Sequence, residues 1–315
     1  MVFHAVESVL SLLILIGVGW WLAGRSWFGS SGAALFSRYT VRVAVPCYMF
    51  YNMTSVFSSR EELLHLFLQV PLPALIICCN FFIGLLLVKL LHVVPARRGV
   101  FLNVVTFSNV VFVGFPVVSS LFGEQCLSYA MIYYLANTVF FWTAGVWLLR
   151  RYGTAGGSCS FTQMIRGILS PPVIGMLLGV AAVFLQIDMP AFLDTPITML
   201  KNTATPAAML FIGSVIRSAD LKQMKLSRDL GAVLFVRFLL SPAFVAMLMI
   251  LLPLNTLMRE VFFLLSAMPA MTQLGVMAKE SDSDYTFAAV LITVTTAVSM
   301  VIIPLYMALA EILPF

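Results

Sequence analysis

The chain has 315 residues, of which 61% are hydrophobic and 10% are charged, and its formal net charge is +5. Soluble domains contain about 45–50% apolar and about 25% charged residues, so this composition excludes a protein with a water-facing surface. Since a membrane-spanning helix needs about 20 apolar residues, the length predicts an all-α membrane protein of about ten transmembrane helices with no soluble domain.

Apolar segments bounded by charged residues, proline or glycine predict where these spans lie. They are residues 5–23, 33–57, 66–90, 100–122, 129–149, 168–185, 197–216, 231–252, 261–278 and 287–309. The first span has no basic residue before it and no small-residue cleavage site after it, so we expect it to be retained.

Lysines and arginines concentrate in alternate loops, among them residues 151–167 and the segment that contains Lys222 and Lys225. The positive-inside rule places these loops in the cytoplasm and both termini in the periplasm of a bacterial inner membrane. The basic residues are therefore interpreted as topology signals in a lipid bilayer, and not as a nucleic-acid-binding surface. Lys201 is expected at the outer interface.

The sequence matches itself weakly at a shift of about 160 residues. Arg98-Gly-Val-Phe corresponds to Arg259-Glu-Val-Phe, Gly114 to Gly275, and Pro46 to Pro206. Any one pair can arise by chance in apolar helices, but the agreement of three pairs predicts a repeat. Because each half has five spans, an odd number, the halves at residues 1–150 and 168–315 are predicted to be inverted and joined by a short cytoplasmic linker at 151–167.

Spans four and nine combine polar residues with proline and glycine in the middle of the membrane. Span four contains Asn103, Ser108, Asn109, Gly114, Phe115 and Pro116, and span nine contains Pro269, Thr272, Gln273 and Gly275. Proline removes a backbone donor and glycine adds flexibility, so we expect both helices to break. A simple proline kink is the alternative, but breaks at corresponding positions of both halves indicate a binding site at the membrane midplane.

Neutral amides and one arginine complete the candidate site. Asn109 and Gln273 flank the expected breaks and Asn137 lies in span five, where each can donate to a carboxylate or form an interhelical hydrogen bond. Arg237 lies about two turns into span eight, where it can snorkel to the interface, pair with a substrate carboxylate or bind a helix end. No acidic residue lies at mid-membrane, so no proton relay is visible, and a sodium site built from backbone carbonyls stays open.

Catalytic and metal-binding patterns are missing from the sequence. The three histidines form no ligand pair, the five cysteines have no paired spacing, and no nucleophile elbow or phosphate-binding glycine loop is present. We therefore predict no catalytic residue, no metal, no cofactor and no enzyme activity.

The segment from Ser108-Asn109 to Gly114-Phe115-Pro116 resembles the auxin efflux carrier family of bacterial and plant transporters, whose fold is similar to that of the bile acid sodium symporters. Supporting elements are Val45-Pro46, Thr205-Pro206, Asn137, and Arg237 before Ser241-Pro242, and the resemblance covers nearly the whole chain. The linker is as short as in the bacterial branch of the family. In this family the broken segments of spans four and nine are called crossovers. The crossover of span nine departs from the family pattern, because Met268-Pro269-Ala270 contains no Gly-x-Pro.

The resemblance implies a scaffold of spans one, two, six and seven and a transport domain of spans three to five and eight to ten. It also implies an elevator-like secondary carrier of a small carboxylate such as malonate or malate, and a homodimer. The expected substrate-binding residues are Asn109, Gly114, Phe115, Pro116, Asn137, Pro269, Thr272, Gln273, Gly275 and Arg237. A sodium-coupled symporter of a larger anion of the bile acid type and an anion channel are the alternatives.

Overall fold

The computed structural model of the chain describes residues 2–57, 59–154, 160–187, 189–218, 228–252 and 254–312. Lys222, Lys225 and residues 155–159 of the predicted linker lie outside these ranges. Within them the chain forms helices and no strand, and two residues, Ser108 and Ala270, form an isolated antiparallel bridge. The prediction of an all-α protein is confirmed for this part of the chain.

The α-helices, numbered in chain order, have the following bounds. They are α1 Val2–Ala23, α2 Gly29–Tyr39, α3 Val45–Val56, α4 Arg60–Phe67, α5 Pro71–Leu90, α6 Pro95–Thr106, α7 Phe115–Phe122, α8 Leu127–Phe140, α9 Val146–Tyr152, α10 Phe161–Ile168, α11 Pro171–Phe184, α12 Ala191–Asn202, α13 Ala204–Ser218, α14 Arg228–Phe235, α15 Ser241–Leu251, α16 Thr256–Ser266, α17 Gln273–Glu280 and α18 Tyr285–Ile312. Wider π-helical turns lie at Thr40–Ala44, Val110–Gly114, Phe141–Gly145 and Val236–Leu240.

Three of the π-helical turns end two residues before a proline. Pro46, Pro116 and Pro242 each occupy the second position of the α-helix that follows such a turn. A proline lacks the N–H group and its ring displaces the carbonyl four residues earlier, and the wider turn accommodates both effects without ending the helix. The chain therefore stays helical through Gly114 and Phe115, where the sequence led us to expect a break.

Four helical stretches among the described residues are long and apolar enough to cross a bilayer. They are Arg60–Leu90, Glu124–Tyr152, Arg228–Leu251 and Tyr285–Tyr306, and α10 with α11, which are bent by 63°, make a fifth if they are taken as one span. Span seven is divided at Thr203, and spans four and nine are divided at the breaks described below. The number of ten spans and the inverted repeat stay predictions.

The chain divides into two compact units. Unit 1 consists of Met1–Val70, Val111–Leu135 and Leu169–Ser218, and unit 2 consists of Pro71–Val110, Ala136–Ile168 and Ala219–Phe315. The candidate site described below lies within unit 2.

Close contact between helix backbones holds unit 1 together. α1 packs along α13, and a Cβ atom on Gly19 would lie 2.3 Å from the carbonyl oxygen of Leu210, while one on Gly213 would lie 2.1 Å from that of Ile16. Since no side chain fits into these distances, the two helices approach through small residues, as is typical of helix packing in membranes.

The core of unit 2 is built around α6. Every residue of this helix from Gly99 to Thr106 is buried, and apolar side chains of α5, α9, α14, α17 and α18 form the surrounding cluster. The chain that leaves α6 at its C-terminal end therefore begins inside protein. Irregular backbone at membrane depth is tolerated in such a place and not in contact with lipid.

Candidate functional site

Spans four and nine are both interrupted. α6 ends at Thr106, and Phe107 has extended backbone angles (φ −104°, ψ 131°) before helical structure resumes at Val110. α16 ends at Ser266, and the next helix begins at Gln273. The interruptions cover residues 107–109 and 267–272.

Backbone hydrogen bonds join the two interruptions. The Asn109 N–H donates to the Pro269 carbonyl (2.9 Å), Ser108 and Ala270 form the antiparallel bridge, and the Ala270 N–H donates to Thr295 Oγ1 (3.1 Å). All five residues are buried. These bonds satisfy backbone groups that the two helix ends leave without partners and that hydrocarbon cannot satisfy.

Asn137, in α8, holds the first interruption in place. Its Oδ1 accepts a hydrogen bond from the Ser108 N–H (3.1 Å), and its Nδ2 donates to the Ser108 carbonyl (3.2 Å). The side chain is buried. In this structure both polar ends of the amide are therefore directed at the backbone of one residue of the break.

Arg237 reaches the C-terminal ends of both α6 and α16. Its Nε donates to the Met268 carbonyl (2.6 Å), its Nη1 to the Val104 and Val105 carbonyls (3.0 and 3.1 Å), and its Nη2 to the Pro269 carbonyl (3.2 Å) and Ser108 Oγ (2.6 Å). The residue is 0% exposed, so it does not snorkel to the interface. Contact with helix ends, one of the roles expected for it, is present in this structure, and pairing with a substrate carboxylate stays a prediction.

The π-helical turn before Pro242 positions this arginine. Arg237 is the second residue of the turn, and Pro242 cannot donate to the carbonyl of Phe238 four residues earlier. The hydroxyl of Tyr306, in α18, donates to that carbonyl instead. A single proline thus produces both the local widening of span eight and a tie between this span and α18.

Three predicted site residues, Gly114, Phe115 and Pro116, lie at the start of α7 in unit 1. The Phe115 ring is buried and makes edge-on contacts with Tyr48 and Tyr134, with centroids 6.5 and 5.9 Å away. Its observed contacts are those of a core aromatic residue.

The remaining predicted residues lie around the start of α17. Thr272 precedes the helix, and Gln273 is the first residue of the helix and is exposed. A Cβ atom on Gly275 would lie 3.3 Å from Ile292 Cδ1. Within unit 2 the structure therefore brings Asn109, Asn137, Pro269 and Arg237 into one hydrogen-bonded cluster, with α17 beginning three residues after Pro269.

Comparison with known proteins assigns the chain to a family. A family model described as "Membrane transport protein" matches residues 4–156 and 158–307. The chain belongs to this auxin efflux carrier-like family of membrane transporters. The resemblance drawn from the crossover residues is thereby confirmed.

The transporter is also similar to two proteins named as uncharacterized transporters. One, of Methanothermobacter thermautotrophicus strain Delta H, is 28% identical over 308 residues, which are 95% of this chain and 96% of the relative. The other, of Methanocaldococcus jannaschii, is 25% identical over 308 residues, with 95% and 97% of the two chains covered.

Asn80, in α5, is a polar residue of the transporter that the sequence analysis does not single out. It is fully buried, and neither its Oδ1 nor its Nδ2 has a hydrogen-bond partner among the described residues. A Cβ atom on Gly84, one turn further along α5, would lie 3.1 Å from Leu102 of the neighbouring helix α6. A short turn joins α5 to α6, so the two neighbouring helices run in opposite directions. Since Gly84 lies beside Leu102, Asn80, one turn before Gly84, lies at the level of Thr106, where α6 ends.

Unit 1 of the transporter contains a buried lysine. Lys201 Nζ lies 2.7 and 2.8 Å from the two carboxylate oxygens of Glu124 and 3.7 Å from the centroid of the Tyr51 ring, and Asn52 Nδ2 donates to the Glu124 carbonyl (3.1 Å). The Lys201 side chain is 5% exposed, whereas that of Glu124 is 55% exposed. The lysine is therefore buried in protein, and its charge is neutralised by an acid that is half-exposed. Its expected place at the outer interface stays a prediction.

Proposed function

We propose that this transporter is a secondary carrier that moves a small carboxylate, such as malonate or malate, across a bacterial inner membrane by alternating access. The observation that carries the proposal is the antiparallel pairing of the two interruptions, residues 107–109 and 267–272, in a chain that belongs to a transporter family. This paired region is called the crossing. Interrupted helices present free N–H groups and the positive end of a helix dipole to the interior of the protein. These groups suit an anion.

We assign direct substrate contact to the Asn109 side chain and to the N-terminus of α17 at Thr272 and Gln273. Asn137 and Arg237 support the site by holding the interruptions in position, since Asn137 bonds to the backbone of Ser108 and Arg237 bonds to backbone carbonyls and to Ser108 Oγ. A site built from neutral donors gains only about 1 kcal/mol per hydrogen bond, or about 1.5–3 kcal/mol when the substrate atom is charged. Weak binding of this kind allows a carrier to release its substrate.

The elevator-like mechanism and the topology belong to the same proposal. The residue ranges of unit 1 contain the predicted spans one, two and seven and nearly all of span six, which supports a scaffold. Unit 1 also includes residues 111–135 of predicted spans four and five, whereas unit 2 contains the two interruptions, which supports a transport domain. We further propose a homodimer through the scaffold and periplasmic termini. An impermeant thiol reagent that labels a single cysteine at position 155 in intact cells would contradict this topology.

Counterflow in proteoliposomes tests the proposed activity. Vesicles preloaded with unlabelled malonate or malate should accumulate the labelled anion transiently, because a carrier exchanges the two pools and an open channel does not. Protein-free vesicles give the background. Transport of a cation or a neutral sugar, with no response to any mono- or dicarboxylate, would show that the substrate class is wrong.

A further inference from the structure

The C-terminal ends of two helices meet at one side chain in unit 2. α6 ends at Thr106 and α16 ends at Ser266, and carbonyl groups beside both ends accept hydrogen bonds from Arg237. The last carbonyls of a helix have no intrahelical donor and carry a partial negative charge. Two such ends that meet inside protein need a positive charge to stabilise them.

The guanidinium supplies that charge together with the missing donors. Its hydrogen bonds to the described residues include four to backbone carbonyls and one to a hydroxyl, and these neutral oxygens lie at 2.6–3.2 Å. In many secondary transporters, backbone carbonyl oxygens at discontinuous transmembrane helices also coordinate Na⁺. A monovalent metal ion and a guanidinium are therefore two ways to neutralise the same set of oxygens.

We propose that Arg237 is a built-in cation that takes the place of a coupling sodium ion at the crossing, an inference that rests on the proposed function. A sodium ion there would compete with the guanidinium N–H groups for the same carbonyls and would be repelled by a fixed charge of the same sign. Arginine keeps its charge at every physiological pH, so the helix ends are neutralised permanently. Arg237 is thus a positioning residue, and transport by this protein does not depend on Na⁺.

The first test uses the unmodified protein without substrate. Its thermal unfolding in detergent is measured in NaCl and in N-methylglucamine chloride of equal ionic strength. We expect the same Tm in both salts, because an ion that binds the folded state raises stability and an ion without a site does not. A Tm that rises specifically with Na⁺ would overturn the proposal.

The second test removes the tethered cation. Arg237→Ala should unfold at a lower temperature than the wild type, and millimolar guanidinium or Na⁺ should restore part of the loss by occupying the vacated oxygens. Arg259→Ala is the matched control, because Arg259 is an arginine of α16 that donates to the Leu252 carbonyl and not to the crossing. If neither cation shifts the Tm of Arg237→Ala, or if both shift Arg259→Ala equally, the proposal is wrong.

A conservative variant covers the case in which Arg237→Ala does not fold. Arg237→Lys keeps the charge with fewer donors, so it should unfold below the wild type and stay insensitive to Na⁺. A sodium-dependent Tm in this variant would contradict the proposal. Because all these measurements omit substrate, failure to transport any carboxylate would overturn the proposed function alone, whereas sodium-dependent stability would overturn the role of Arg237 alone.

Discussion

The amide of Asn137 is the most direct point at which to perturb the crossing. Its two hydrogen bonds go to the N–H and the carbonyl of Ser108 at 3.1 and 3.2 Å, inside protein. Asn137→Leu replaces the amide by an apolar group of similar size and removes both bonds. The variant therefore tests whether this side chain stabilises the interruption of span four.

The two lost bonds have different costs. Among the described residues the Ser108 N–H donates only to Asn137 Oδ1, and an unsatisfied buried donor costs about 1–3 kcal/mol. The Ser108 carbonyl keeps a hydrogen bond from the Val110 N–H at 3.0 Å, so the loss of the Asn137 donor costs only about 0.5–1.5 kcal/mol. We expect Asn137→Leu to lower the free energy of unfolding by about 2–4 kcal/mol.

Asn103→Leu is the matched control, because Asn103 is another buried amide of unit 2. Its Nδ2 donates to the carbonyls of Gly99 and Gly145 within helices, and its Oδ1 has no partner among the described residues. The change therefore removes an unsatisfied oxygen together with two bonds to helical carbonyls, and we expect a net effect within about 1 kcal/mol.

The assay is equilibrium unfolding in mixed micelles, followed by tryptophan fluorescence, for the wild type and both variants. Counterflow per folded protein is measured in parallel, and Asn137→Leu should lose activity while Asn103→Leu keeps it. The reasoning would be refuted if Asn137→Leu were as stable as the wild type, or if both variants lost the same free energy.

Three further changes test other parts of the structure. Asn109→Ala should weaken carboxylate affinity roughly tenfold in counterflow with little change in Tm, because its backbone N–H still bonds to Pro269; full uptake would remove this side chain from the site. Glu124→Gln should lower the Tm more than Lys201→Met, because it leaves a buried charge unpaired, and equal losses would contradict this account of the pair. Asn80→Leu should raise the free energy of unfolding by about 1–3 kcal/mol by removing an unpartnered buried amide, whereas a decrease would mean that the amide has a partner in the working protein.

Spans four and nine show how far local sequence rules predict this structure. Proline, glycine and polar residues in apolar segments indicated correctly that both segments are interrupted. The break in span four was expected at the glycine and the proline, and this position was wrong. Gly114, Phe115 and Pro116 remain helical, and the break lies at residues 107–109. A π-helical turn accommodates Pro116 locally, and contacts from Asn137 and Pro269 stabilise the earlier break.

Arg237 shows the same division for a single side chain. Its depth in span eight follows from the distance to the nearest charged residues, and its proximity to Pro242 is visible in the sequence. Its acceptors are not visible, since they include carbonyls more than 130 residues away along the chain. Asn80 was missed for a related reason, because a lone asparagine in an apolar helix is equally compatible with a paired and an unpaired amide.

The sequence by itself determined that this is an all-α membrane protein with interrupted helices, because hydrophobicity and the missing N–H of proline are properties of each segment. The transporter family followed from the resemblance of its residues to known carriers. Only the tertiary structure decided where the helix in span four is interrupted and which groups hold the interruption. The physical reason is that a backbone group inside protein must find a partner, and at the crossing those partners come from helices distant in the chain. The pairing of Arg237 with two helix ends exists only once α6, α16 and span eight have packed together.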